Sequence, residues 1–239
     1  MKLLEKQLEF NAAMKKYNEN RSYEYIYNIV SFLNVSMQIY LFTIIFTLNL
    51  KLYLLIPLLF IAYFITDFIN GYVHMFMDNN DNYRSIIGPF IASFHLHHRH
   101  PDYRNFPIMR IYFNESGSKF WLLPFLMFTI MMSFLDINDE LLFLLILVGI
   151  LSSVAEVSHF LCHNSKSKFV TLLQDSHILL SPKHHANHHK KDNQSYAFLN
   201  GMSDFLLDKI AARVYGGYKE NSDLHTELYD GKDTQNRIE

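Results

Sequence analysis

Eight of the thirteen histidines of this chain stand in four short clusters. They are His74, the adjacent pair His97 and His98, the spaced pair His159 and His163, and the group His185, His188 and His189. Each cluster lies where a long apolar run gives way to polar chain. A neutral imidazole is a strong ligand for iron or zinc. Residues four apart share one helical face, about 5–6 Å between Cβ atoms, so His159 and His163 can reach one ion or two neighbouring ions. In the 185–189 group the first and last rings face together, while the middle one is turned by about 100°. That arrangement can bracket two ions. Structural zinc is satisfied by four ligands, and eight candidates suit two metals better. Paired irons with open positions can bind and reduce dioxygen and attack an unactivated C–H bond. Acid–base side chains cannot do so, and such chemistry needs a metal or organic cofactor.

Further polar residues stand close by. His95, His100 and His184 adjoin the clusters and are candidates for ligation or for holding a ligand ring; His177 is another, and His225 is expected to take no part. Asp67 precedes His74 by seven residues and Glu156 precedes His159 by three. Acids inside apolar runs are functional by default. Both are expected to orient a ligand imidazole through its other nitrogen, with direct ligation and a structural hydrogen bond as alternatives. Cys162 is alone, which rules out an intrachain disulfide, and is expected to be a small buried side chain.

The elements that carry these residues are long and apolar. Tyr25 to Leu50 holds no charge, and Leu52 to Met77 holds only Asp67. Phe120 to Leu135 is uncharged, and Leu141 to Cys162 holds only Glu156. About 20 apolar residues cross a bilayer as a helix. The expected fold is therefore all-α, with four transmembrane helices near 28–49, 52–76, 118–135 and 141–162, the third of them short and open to being tilted, extended or re-entrant. A histidine-rich helical cap should cover one end. Residues 1–27 read as a polar or interfacial segment, without a cleavable signal pattern, 28–215 as the membrane domain, and 216–239 as a loose polar tail. With four crossings, twenty of the 21 Lys and Arg fall on one side, together with every histidine, and only Lys51 lies opposite. The positive-inside rule makes that side, with both termini, cytoplasmic. A formal net charge of −2 argues against a nucleic-acid partner.

The ordered series Asp67-Phe68-x-x-Gly71-x-Val73-His74, His97-His98-x-x-Pro101, His159-x-x-x-His163, Leu172-Leu173-Gln174-Asp175 and His185-x-x-His188-His189 resembles the plasmanylethanolamine desaturase family. That family includes the plant plastid desaturase of phosphatidylglycerol. The likeness runs over about residues 60–210, with Tyr196 and Gly201 following the last cluster at family spacing. It implies an oxygen-dependent lipid desaturase with two Fe ions, O2 as co-substrate and the chain of an intact glycerophospholipid as substrate, as in the conversion of an alkyl ether to the vinyl ether of a plasmalogen. The ligands implied are His74, His97, His98, His159, His163, His185, His188 and His189, with Gln174 and Asp175 as additional candidates. Two departures stand out. Members acting on the ether chain have a histidine where this chain has Ile111, which leaves room for an acyl-lipid desaturase, and the stretch from His163 to Gln174 is shorter than usual. Without a GxGxxG or CxxCH motif, electrons are expected from an external donor, cytochrome b5-like or ferredoxin-like. Alternatives are a di-iron sterol or fatty-acid hydroxylase and a membrane protein that only binds metal.

Overall fold

The computed structural model describes residues 2–99 and 106–231, which are helix and loop with no strand among them. His100 and Pro101 lie outside the described residues. Helix α1 (Lys2–Glu19) packs Phe10, Ala13 and Met14 against Ile91, Ala92 and Leu96, while Leu4 and Leu8 stay exposed. Among the described residues, three helical segments are long and apolar enough to cross a membrane: α2 (Ser22–Ile45), Leu52–Asp78, which is a 3-10 turn leading into α3 (Leu55–Asp78), and α7 (Asp139–Asn164). The expected third crossing differs. It consists of a 3-10 turn (Ser116–Ser118) and helix α6 (Leu122–Ser133). Twelve residues of helix rise about 18 Å, short of a hydrocarbon core of about 30 Å.

Helices α3 and α7 run parallel. Asn49, just ahead of the first, donates its amide to Asp139 at the start of the second, 2.8 Å away. At mid-length Asn70 reaches Ser152, and near the far end the rings of His74 and His159 lie 6.4 Å apart. The chain between Asp78 and Asp139 must therefore travel back along the bundle. Helices α4 (Gly88–Arg99) and α5 (Ile108–Glu115) stay near the end of α7, and the 3-10 turn and α6 make the return.

Helix α2 shows what positions the turn. Its outward face carries Ile29, Phe32, Ile39 and Phe42, all exposed as lipid would require. Its buried face carries Ser31, Asn34 and Gln38. Ser31 donates to the Asn114 carbonyl at 3.2 Å, Asn34 to the carbonyls of Ser116 and Lys119 at 2.9 and 3.2 Å, and Gln38 to the Gly149 carbonyl at 2.9 Å. In lipid an unsatisfied backbone group costs several kcal/mol, so this polar stripe is what permits irregular chain here. Gly117 is needed at the closest approach, since a Cβ there would lie 2.6 Å from the Tyr27 carbonyl oxygen. The turn ends by driving Lys119, 4% exposed, into the bundle.

Beyond α7 and the short α8 (Lys168–Asp175), helices α9 (Pro182–Lys190) and α10 (Asp204–Val214) fold against the ends of α3 and α7. Cys162 lies buried among Ala155, Leu180, Phe198 and Leu199. The expectation of a loose tail from residue 216 does not hold as far as the described residues extend. Tyr218, Ser222, His225, Thr226 and Tyr229 are buried, because their backbone and rings complete the cap.

Asp67 fastens that cap to the bundle. Its Oδ1 accepts the amides of Leu199, Asn200 and Gly201 at 3.0–3.2 Å, and its Oδ2 accepts the Ser203 amide and hydroxyl at 2.9 and 2.8 Å. The carboxylate thus sits at the amino end of α10, where the helix dipole favours it. Among the described residues its hydrogen bonds go to no ligand ring, so the first expectation for it does not hold and the alternative of a structural hydrogen bond does. Asp67→Ala should lower stability by about 3 kcal/mol or more, since each buried donor left unsatisfied costs about 1–3 kcal/mol. A thermal melt in detergent should show the fall, with a smaller one for Asp67→Asn.

Candidate metal centre

Among the described residues, two nests of side chains able to hold a metal lie side by side at the ends of α3 and α7. The first to consider contains His74, Asp78, His98 and His188. His74 and Asp78 are four apart in the last turns of α3 and so share a face. The Nε2 atoms of His74, His98 and His188 each stand 3.4 Å from a carboxylate oxygen of Asp78, and those of His98 and His188 are 3.1 Å apart. The opposite ring nitrogens set this aim. Nδ1 of His74 meets the Tyr196 carbonyl at 2.9 Å, Nδ1 of His188 the Gln194 carbonyl at 3.1 Å, and Nδ1 of His98 the Asp223 carboxylate at 2.7 Å. A carbonyl only accepts, so Nδ1 of His74 and of His188 carries the proton and the Nε2 lone pair points inward.

The separations fit a shared cation. With ligands about 2.1 Å from a metal, neighbours lie about 3.0 Å apart at right angles and about 3.4 Å apart at tetrahedral angles. The buried polar atoms agree. His74 Nε2 and both oxygens of Asp78 are buried without a hydrogen-bond partner. Leaving a buried carboxylate without donors is expensive, and a metal ion resolves it.

The second nest is all imidazole: His97, His163, His185 and His189, with ligand atoms within 4.8 Å of one another. His159 abuts it, its Nε2 lying 2.9 Å from that of His185 and 3.3 Å from that of His163. The Nε2 atoms of His185 and His189 are also 2.9 Å apart. Such contacts between lone-pair atoms are favourable only with a proton or a cation between them. The nests share two walls. Consecutive helical residues diverge by about 100°, so His97 enters one nest and His98 the other from α4. Helix α9 gives His185 and His189 to one nest and His188 to the other, and the rings of His185 and His188 are 5.6 Å apart.

Burial pushes the rings of His97, His185 and His188 well below their ordinary range, and His189 down to about 3, so these stay neutral at physiological pH. His98 differs. Burial opposes its charge, yet Asp78 and Asp223 together raise it. Neutral rings offer lone pairs to a metal without first losing a proton.

All eight histidines singled out from sequence are thus brought together; the other candidates are not. His95 donates from Nε2 to the Met77 carbonyl at 2.8 Å and accepts at Nδ1 from the Tyr83 hydroxyl at 2.9 Å, facing away from both nests. His184 pairs with Asp204 at 2.6 Å. His177 and Asp175 are exposed, and Gln174 is buried in α8 outside both nests. Glu156 forms an ion pair with Lys119 at 2.9 Å and stands 4.0 Å from His159 Nδ1. His225, expected to be idle in a tail, is buried against Tyr83, whose hydroxyl lies 3.0 Å from its Nδ1. Sequence reasoning missed Asp78, although the spacing His74-x-x-x-Asp78 at the end of a span was a visible signal.

A cavity of about 650 Å³ opens beside the nests, with His74, His97 and His159 in its wall. Phe94, Phe106, Phe198 and Ile111 make it apolar, and Asn70, Lys119 and Glu156 form a polar patch in it. A volume of that order suits a small-molecule or lipid-chain site.

Ligand and neighbour should separate on mutation. Asp78→Ala should weaken Co(II) binding by at least about tenfold, the scale reached by losing even an indirect partner. His184→Ala should leave it nearly unchanged. Titration followed by the visible absorption of bound cobalt checks both.

Comparison with known proteins agrees with this geometry. No curated protein and no solved structure matches the chain. A family model described as the lipid desaturase domain matches residues 63–215, well over half of the 239 residues. That stretch contains both nests. With three membrane-length helices and a histidine centre at their ends, the chain belongs to the lipid desaturase domain family and is a membrane oxidoreductase of lipid metabolism.

Proposed function

We propose that the chain is an oxygen-dependent di-iron desaturase acting on a chain of an intact glycerophospholipid, with one iron in each nest and His159 completing the imidazole one. The observation that carries this is the abutment of two nitrogen-rich nests on an apolar cavity of chain-holding size. The conversion of a plasmanylethanolamine to its vinyl ether is the first reading. An acyl-lipid desaturase is the second, and Ile111 favours it: this side chain, 2% exposed to solvent, faces the cavity where ether-acting members have histidine. We further propose four crossings with both termini and the histidines cytoplasmic. Parallel α3 and α7 call for a return passage between them, which Lys119–Asn138 makes in spite of the short α6.

When iron is bound, the centre supplies the oxidant that removes hydrogen from carbon. The rest is work of the chain itself. Phe94, Phe106 and Phe198 hold a hydrocarbon segment against His74, His97 and His159 and exclude water. Fixing two adjacent methylenes there sets the bond position, since a displacement of about an ångström costs orders of magnitude in rate. Lys119 keeps Glu156 paired, so the cavity wall carries no uncompensated charge at that point. Overall, two hydrogens leave the lipid, and dioxygen takes these with two external electrons and two protons to give two waters. A cytochrome b5-like or ferredoxin-like donor supplies the electrons.

Purified protein should carry two irons per chain, and His188→Ala should lose metal and desaturation together. Lipid profiles of cells with and without the chain, before and after acid, identify the product. Acid-labile species that depend on the chain establish the ether reading, and acid-stable unsaturation the acyl one. A product that has gained oxygen establishes a hydroxylase instead. Iron binding without oxygen consumption in the presence of reductant and lipid would leave only a metal-binding protein.

A further inference from the structure

The family domain ends at residue 215, yet the chain beyond it closes over the carboxylate nest. The Asp223 carboxylate takes the Nδ1 of His98 at 2.7 Å. The Tyr218 ring lies 5.0 Å from that of His98 and 5.3 Å from that of His188, and its hydroxyl donates to the His188 carbonyl. Lys219 donates to the His189 carbonyl at 2.7 Å and pairs with Asp223 at 2.9 Å. The Ser222 hydroxyl donates to the backbone carbonyl of Asp78. Within a few residues, this segment touches His98, His188, His189 and Asp78.

It is also firmly tied at both ends. Asp192 accepts the amides of Tyr218 and Lys219 at 2.9 and 3.3 Å. Gln7 of α1 donates to the Leu224 carbonyl at 3.0 Å, and Arg99, one residue after His98, donates to the Thr226 carbonyl at 2.7 Å. Gly217, at φ +108, makes the turn that lets the segment fold back.

We infer that residues 218–226 are a clasp that completes the metal centre from outside the family domain, with Asp223 the positioning residue for His98. The inference rests on the proposed metal reading of the nests. His74 and His188 take their orientation from backbone carbonyls of the loop at 194–196. Among the described residues no such carbonyl meets Nδ1 of His98, which is held by a side chain beyond the matched stretch. A carboxylate on Nδ1 fixes the ring's rotation and tautomer and makes Nε2 a better donor, and loss of such a partner weakens metal binding by about 10–100-fold. Asp223 thus acts on the metal through His98, without itself reaching the nest.

The experiment uses the full chain in detergent, with Co(II) titrated into metal-free protein and its visible absorption recorded. Asp223→Asn keeps the shape and an acceptor but removes the charge. It should weaken the affinity of one of two sites about tenfold and shift the cobalt bands, with an unchanged melting temperature before metal is added. Asp223→Ala should lose more, and Asp223→Glu should recover most of the affinity. Wild-type affinity and spectrum in both Asp223→Asn and Asp223→Ala would overturn the clasp alone, leaving the metal centre intact. Failure of the wild type to take up cobalt or iron would overturn the metal centre, and the clasp with it.

Discussion

A buried carboxylate with no hydrogen-bond donor, faced by three imidazole lone pairs, is the constraint on which this molecule turns. Asp78 is fully buried, and its neighbours at 3.4 Å are nitrogens whose protons lie on the far side of their rings or are drawn there. Among the described residues only His98 opposes that negative charge at close range, and Asp223 holds its Nδ1, so no donor satisfies the carboxylate. A cation does, and the spacing fits one with ligands about 2.1 Å away. The imidazole nest beside it has the same logic, since its nitrogens approach to 2.9 Å with lone pairs converging.

Holding such a centre requires rigidity behind it, and the hydrogen bonds are arranged accordingly. The segment from Gln194 to Ser203 carries the carbonyls that orient His188 and His74 at one end and the turn gripped by Asp67 at the other. An acid within a membrane-length helix therefore serves the centre at a distance, by fixing a loop. The same loop supplies Phe198 to the cavity wall. Position of the nest side chains and shape of the cavity are thus set by one stretch of chain.

The bundle is polar inside and apolar outside along α2, the reverse of a water-soluble helix. That polarity lets the 108–120 segment turn inside the bundle with its carbonyls satisfied, and it delivers Lys119 to Glu156. The short α6 follows from the same device, because part of the passage is already made by irregular chain whose partners are protein.

What could be read from the sequence was whatever depends on local spacing. The apolar runs marked three of the helices within a few residues, and the histidine clusters at their ends marked the centre. Asp78 was within reach of the same reasoning, four residues after His74. The third run read as short, and only the structure showed the buried turn before α6, because apolar composition says nothing of where backbone carbonyls find donors. His95 and His184 could not be told from His97 and His185, since neighbouring helical residues point in different directions and only packing decides which direction is inward. Asp223 and Lys119 lie far along the chain from their partners, and no periodicity joins them. The sequence by itself determined that the chain is helical, membrane-length and rich in ligands at one end. Tertiary structure alone decided which ligands meet and how they divide between two nests, because a coordination site is defined by distances of about 3 Å between atoms brought together from remote helices.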